Sequence, residues 1–431
     1  MSASGDVPDG VKKGRDMGIS GKLAAFAAAG VLLSSLPAQA LDELGAQGLP
    51  RTGFEQSNGA RWTTMAEEHA LLKNLSRKVD VSQIGVTVQG RPLDLVQIGR
   101  GPTTVLFLCS QHGDEPAGRE ACLIKIRDLA YRKDSVPAGT TLLFVPTANP
   151  DGREANTRGN ANGVDINRDH IALETPEARA FAAVIRDHQP DIVHDLHEFG
   201  PRPLVYDKDV LWLWPRNLNV HKRVHDESET LSRSYIRPAV ESHGLTSGVY
   251  GFLVDPGTGE PTQQIAGDGQ ERILRNTTGL KHSLGLLVET NDSANPGEDQ
   301  PAAARRRVDS HLYGVAGTVR LVKERRGHLE AATTISRVTA PWRDDPIYFG
   351  GADNETPPAG KVEPNPPCGY RLTTEQYTQV KDKLALHGVQ SRRDGEGRLV
   401  PLAQQARPLI PMLLDARADF ELVQGIPSKR C

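Results

Sequence analysis

The sequence has no C-x-x-C pair, and only four cysteines occur among its 431 residues: Cys109, Cys122, Cys368 and Cys431. That leaves no basis for a cysteine-built zinc finger or ribbon. Neither sign of charge dominates, with 54 acidic side chains against 51 Lys and Arg. There is therefore no electrostatic case for a nucleic-acid or anionic-membrane partner. Internal repeats and long low-complexity tracts are absent, which argues against a solenoid. Long apolar runs are absent too, apart from "LAAFAAAGVLLSSL" near the start. That run is shorter than the ~20 residues a spanning helix needs. It follows basic "KKGRDMGISGK" and precedes Ala38 and Ala40 in an A-x-A arrangement. The pattern reads as a secretory signal over 1–40, cut after Ala40, with Met17 at a more usual distance from the run than Met1. The expected location is periplasmic or secreted, with no stable membrane insertion after cleavage. Export makes disulfides possible. Cys368 and Cys431 bracket the C-terminal segment and could close it as a loop. Cys109 and Cys122 read as small buried residues.

What is present alternates between strand and helix patterns. "TTMAEEHALLKNLSRK" has Thr64 and Glu67 spaced as a capping box. "GVTVQGRPLDLVQIGR" alternates around a turn, as a hairpin does. "TTVLFLCS", "TTLLFVPTANP", "PDIVHDLHEFG" and "HSLGLLVETND" are short apolar runs of strand type. "PAGREACLIKIRDLAYRK" and "TPEARAFAAVIRDHQ" between them read as helices. The class is α/β, a mixed and mostly parallel central sheet with helices on both faces. The four apolar strands end in "CSQHGDE", "VPTANPDG", "IVHDLHE" and "LLVETND". Sites in open α/β sheets gather at the carboxyl ends of strands, so these ends are expected to converge.

Their chemistry fits a metal. A catalytic zinc takes three protein ligands of His and carboxylate type. His112 and Glu115 supply two from one turn, and His197 is placed to supply the third from a neighbouring strand end. His194 competes with His197, but residues three apart in a strand point to opposite faces. His194 is therefore read as a packed sheet histidine. The stretch Asn149 to His170 is crowded with Asn, Gly, Asp and Arg. Its arginines could grip a carboxylate or steady an oxyanion.

H-G-D-E, N-P-D-G, R-G-N-A-N-G-V-D-I-N-R-D, D-L-H and L-V-E-T occur in that order. Together they resemble the zinc carboxypeptidase family, the carboxypeptidase A-like metallopeptidases, over roughly Trp62 to Asp292. The resemblance implies one zinc per chain, held by His112, Glu115 and His197. It implies that Arg158 polarises the scissile carbonyl and that Asn167 and Arg168 hold the terminal carboxylate of a peptide. Glu289 would be the general base toward a zinc-activated water. Asp165 would accept from His112 and fix its tautomer. The family usually carries a tyrosine on a loop upstream of the glutamate. Here Ile265 to Val288 holds none, and the nearest is Tyr250.

The expected organisation is a signal peptide over 1–40, a catalytic domain over 41–335, a Pro/Gly-rich linker over 336–367 and a small C-terminal extension over 368–431. The expected activity is an exported zinc carboxypeptidase acting on peptides with a free C-terminal carboxylate, cell-wall peptides among them. Aspartoacylase or succinylglutamate desuccinylase-like deacylases share H-x-x-E, D-x-N-R and D-x-H and form the first alternative. A catalytically silent peptide-binding protein on the same scaffold is the second.

Overall fold

The four apolar strand runs lie side by side at the centre of an eight-stranded sheet. The computed structural model describes residues 48–258 and 261–431. The signal-peptide reading over 1–40 lies outside them. The sheet strands are β1 (Asp80–Val86), β2 (Pro92–Ile98), β3 (Thr103–Cys109), β4 (Thr140–Val145), β5 (Ile192–Phe199), β6 (Val210–Leu213), β7 (Ser247–Val249) and β8 (Leu284–Asn291). Their spatial order is β1-β2-β4-β3-β5-β8-β6-β7. The run β4-β3-β5-β8 is parallel, and antiparallel pairs flank it at β2/β4 and β8/β6. The α/β class with a mixed, mostly parallel sheet is thus present in the molecule.

Alternation along the strands sends side chains to two cores. Phe107, Phe144, Ile192, Leu196 and Val288 share a cluster with Leu123 and Ile126 of α2 (Pro116–Tyr131) and Val315, Val319 and Val322 of α5 (Gln300–Thr339). Leu106, Leu108, Leu143, Val145 and Val193 pack on the other face. There they meet Phe181, Val184 and Ile185 of α3 (Pro176–His188) and Leu274 of α4 (Leu274–Leu280). Burial on both faces explains why these strands read as continuous apolar runs. Helix starts follow their caps. Thr64 and Glu67 form the capping box of α1 (Met65–Leu75), and Thr175 accepts from Ala178 N at the start of α3.

Pro50–Cys431 forms one compact unit. Helix α5 runs past position 335 to Thr339, and Ile347–Tyr348 then pairs with Val362–Glu363. Gly369–Leu372, Arg392–Asp394, Gly397–Pro401 and Ile426–Ser428 make a four-stranded antiparallel sheet. Its Tyr370 and Leu372, with Leu409, Met412 and Leu413 of the following segment, join the same core as the main sheet. Cys368 and Cys431 are bonded, with Cα atoms 5.9 Å apart. Cys109 and Cys122 are bonded as well, with Cα atoms 6.8 Å apart. They are not two separate small core residues. Helix α2 packs back across the end of β3 and brings residue 122 over residue 109.

Arg119 ties α1 to this body. It is fully buried and pairs with buried Glu68 at 2.5 Å, and its Nε also donates to Thr147 Oγ1. Removing one partner of such a pair strands a charge in the core. Arg119→Leu is expected to cost about 3–5 kcal/mol of stability, read by denaturant unfolding.

Candidate metal centre and cleft

Strand β3 ends at Cys109, and Ser110 follows with φ of +58°. This conformation is uncommon for a residue other than glycine. It turns the chain out of the sheet, and Ser110 Oγ donates to His112 O at 3.0 Å to hold the turn. At Gly113 a Cβ would lie 1.9 Å from Gly152 C, and at Gly152 a Cβ would lie 2.4 Å from Asn149 Nδ2. H-G-D-E and N-P-D-G are therefore packed backbone to backbone, which only glycine allows. Asn149 Oδ1 accepts from Gly152 N, and its Nδ2 donates to Gln111 O and Arg158 O. One asparagine thus braces both the ligand turn and the loop that carries Arg158.

His112, Glu115 and His197 converge, and all three are buried, with ligand atoms within 4.8 Å of one another. Glu115 Oε1 lies 2.6 Å from His112 Nδ1, and its Oε2 lies 2.8 Å from His197 Nδ1. The two Nδ1 atoms are 3.1 Å apart. Atoms each ~2.0–2.1 Å from one tetrahedral ion would lie roughly 3.3 Å apart, so the cluster has the dimensions of a zinc coordination shell. The outer nitrogens face acceptors. His112 Nε2 lies 3.0 Å from Asp165 Oδ1, and His197 Nε2 lies 2.9 Å from Asp195 Oδ2. A carboxylate can only accept, so with an ion on the Nδ1 side each Nε2 proton would be held by these outer carboxylates. Asn167 Nδ2 lies 3.0 Å from the same His197 nitrogen.

Charge arranges the cluster in the same sense. Burial disfavours the imidazolium of His112 and of His197, but the carboxylates around them outweigh it and raise both pKa values. Burial would push Glu115 up, yet the two imidazoles hold it below the usual carboxylate range. These side chains form a pocket that favours positive charge.

Glu289 stands beside His197, because β8 pairs with β5 in a register that makes them Cα partners. Burial pushes Glu289 up to about 8, with His197 opposing. Arg158 Nη1 lies 3.1 Å from His112 Nδ1, and its Nη2 pairs with Asp165 Oδ2 at 2.9 Å. His112, Glu115, Arg158 and Glu289 line a cleft of about 760 Å³ together with Asn167, Arg168 and Tyr250. Asn167 is committed at both ends of its amide, since its Oδ1 also accepts from Leu274 N at 2.9 Å. Half-buried Arg168 uses Nη1 on Asn167 O. Tyr250 stacks on Tyr206, with ring centroids 5.1 Å apart.

Other candidates separate cleanly. His194 points to the opposite face, against Phe107, with Nδ1 3.0 Å from Thr318 Oγ1. Asp114 is exposed at the cleft and outside the ligand group. Glu198 accepts from Ala117 N and pairs with Arg307 of α5. Asp195 was not singled out by sequence reasoning. The signal was available, since it lies two residues before His197 in a strand and so shares its face.

The zinc carboxypeptidase family model matches residues 66–202. Carboxypeptidase 2 of Trichophyton rubrum is 30% identical over 189 residues, which is 42% of this chain and 35% of that protein. Carboxypeptidase E of Caenorhabditis elegans is 29% identical over 157 residues, 29% of this chain and 33% of that protein. The chain thus spans about a third of the length of these curated relatives. Among solved structures, a metallo-carboxypeptidase from Pseudomonas aeruginosa in complex with (2-guanidinoethylmercapto)succinic acid aligns with a TM-score of 0.49 at 18% identity. That alignment covers 62% of this chain and 70% of that one.

Because Asp195 orients His197 through Nε2, Asp195→Asn is expected to weaken zinc binding about 10–100-fold. Competition with a chelator of known affinity measures this, and Asp114→Asn should leave the affinity unchanged.

Proposed function

We propose that this chain, which carries the zinc carboxypeptidase domain over residues 66–202, is an exported zinc carboxypeptidase that removes residues from peptides with a free C-terminus. The observation that supports this best is the convergence of two inward-facing Nδ1 atoms and the Glu115 carboxylate, with Glu289 at the adjacent register position. His112, Glu115 and His197 are the residues that would hold the ion. Bound there, zinc supplies a Lewis acid that polarises a carbonyl and lowers the pKa of water toward ~7.

The chain's own side chains divide the remaining work. Glu289 takes the proton of the attacking water at its carboxylate and passes it to the leaving amine. Its buried position raises its proton affinity above that of an ordinary carboxylate, which favours the first transfer. Arg158 is anchored by Asp165, so its guanidinium faces the cluster and can donate to the oxyanion that develops on the carbonyl. Arg168 opens on the cleft and can pair with the terminal carboxylate in bidentate fashion. Asn167 steadies the same subsite from behind, between His197 and Leu274. Asp165 keeps His112 in the tautomer the ion needs.

Export rests on the basic segment, the short apolar run and the A-x-A pattern ending at Ala40. Among the described residues no helix is long and apolar enough to cross a membrane. An exported enzyme of this kind would meet cell-wall peptides with free carboxyl ends.

Glu289→Gln is expected to lower kcat by about 10²–10⁴ while zinc content stays near one per chain. Single-turnover kinetics and metal analysis read the two quantities, and full activity in this variant would overturn the assignment. Arg168→Ala should raise KM for free-ended peptides by roughly tenfold or more, the worth of a charged hydrogen bond. Amidated peptides should be poor substrates of the parent, and better turnover of N-acyl amino acids than of peptides would favour a deacylase. N-terminal sequencing of secreted material should begin at Leu41.

A further inference from the structure

Several arginines in this molecule are paired with carboxylates. Arg119 has Glu68, Arg216 has Asp353, and Arg307 has Glu198. Arg275 is 3% exposed and has no ion pair among the described residues. Its Nη2 donates to a backbone carbonyl, Asp268 O, at 2.5 Å. Its Nε is buried and has no hydrogen-bond partner. The nearest acid is Asp268, whose carboxylate accepts from Gln270 N and Gln270 Nε2. Arg275 lines the cleft. Burial lowers its pKa to about 10, so it stays charged at neutral pH. A buried guanidinium with no carboxylate and an unpartnered Nε–H is costly to keep, and Arg275 lines the space that a substrate would fill.

Its position is fixed relative to the metal ligands. Arg275 follows Leu274, whose N–H is held by Asn167, and Asn167 touches His197. Arg168 and Arg272 line the same part of the cleft, and Arg272 is held over the Phe420 ring at 4.0 Å. The three guanidiniums of Arg168, Arg272 and Arg275 therefore line this cleft together with the carboxylate of Asp268. One carboxylate group satisfies Arg168, which leaves Arg275 for another.

We propose that Arg275 is the specificity-determining residue of the cleft and selects a C-terminal residue with a second, side-chain carboxylate, such as Glu or Asp. This rests on the carboxypeptidase reading above. The α-carboxylate pairs with Arg168, and the side-chain carboxylate accepts from Arg275. A C-terminal Gln or Leu leaves the guanidinium without a carboxylate, and a C-terminal Lys places two cations together.

The test uses the full zinc-loaded protein and one peptide ending in Glu, Gln, Leu or Lys. The Glu-ended peptide should exceed the Gln-ended one in kcat/KM by at least about tenfold. In Arg275→Gln the ratio should fall toward one, because turnover of the Glu-ended peptide falls further. Arg275→Lys should keep part of the preference, and it carries the test if thermal melting shows that the Gln variant does not fold. In parallel, calorimetry compares binding of the Glu- and Gln-ended peptides to the Glu289→Gln protein with Arg275 intact or replaced. A parent enzyme without preference for Glu, or a ratio unchanged by the Arg275 variants, overturns the proposal. Failure to turn over any of the four peptides strikes the carboxypeptidase reading instead. Arg275 is then judged by calorimetry alone, where equal binding of Glu- and Gln-ended peptides overturns it.

Discussion

The register between β5 and β8 is the constraint on which the rest of the structure depends. It pairs Glu289 with His197 across a parallel ladder. A slip of one residue would send Glu289 to the opposite face and leave a threonine or valine beside the ligand. Both strands are buried on both faces over their whole length. Apolar packing against α2 and α5 on one side and α3 and α4 on the other holds that register. The hydrophobic core is thus also the device that sets the spacing between His197 and Glu289.

Around this ladder the site is built in layers that share atoms. Asn149 joins the H-G-D-E turn to the Arg158 loop, and Asp165 joins Arg158 to His112. Asn167 joins His197 to the first turn of α4. Few of these residues could touch a substrate, yet each fixes one that does. Polar groups so deeply buried are tolerable because nearly every donor meets an acceptor. Arg275 is the exception at the cleft, which is why it carries weight in the reading of specificity.

Much of this was legible in the sequence. Four strand ends with polar termini announced where the side chains would meet, and alternation separated His197 from His194. The same alternation could have exposed Asp195. Other features were not legible. Helix α5 buries Ala303, Ala304, Gly314, Gly317, Thr318, Thr333 and Ser336 among its charged residues. These small and polar positions interrupt the apolar period that Val315, Val319 and Val322 carry. The Cys109–Cys122 bond depends on how α2 lies across β3, a tertiary fact. The isolation of Arg275 is a property of its surroundings and has no local signature at all.

The stacking of Phe420 on Arg272 has a temporal consequence. Strand β8 enters the middle of the sheet, between β5 and β6, although it is synthesised more than seventy residues after either of its neighbours begins. At the cleft, Arg272 lies over a ring from position 420. A nascent chain that has displayed His112, Glu115 and His197 still lacks Glu289 and that contact. The order of synthesis therefore keeps the candidate site incomplete until most of the polypeptide has emerged.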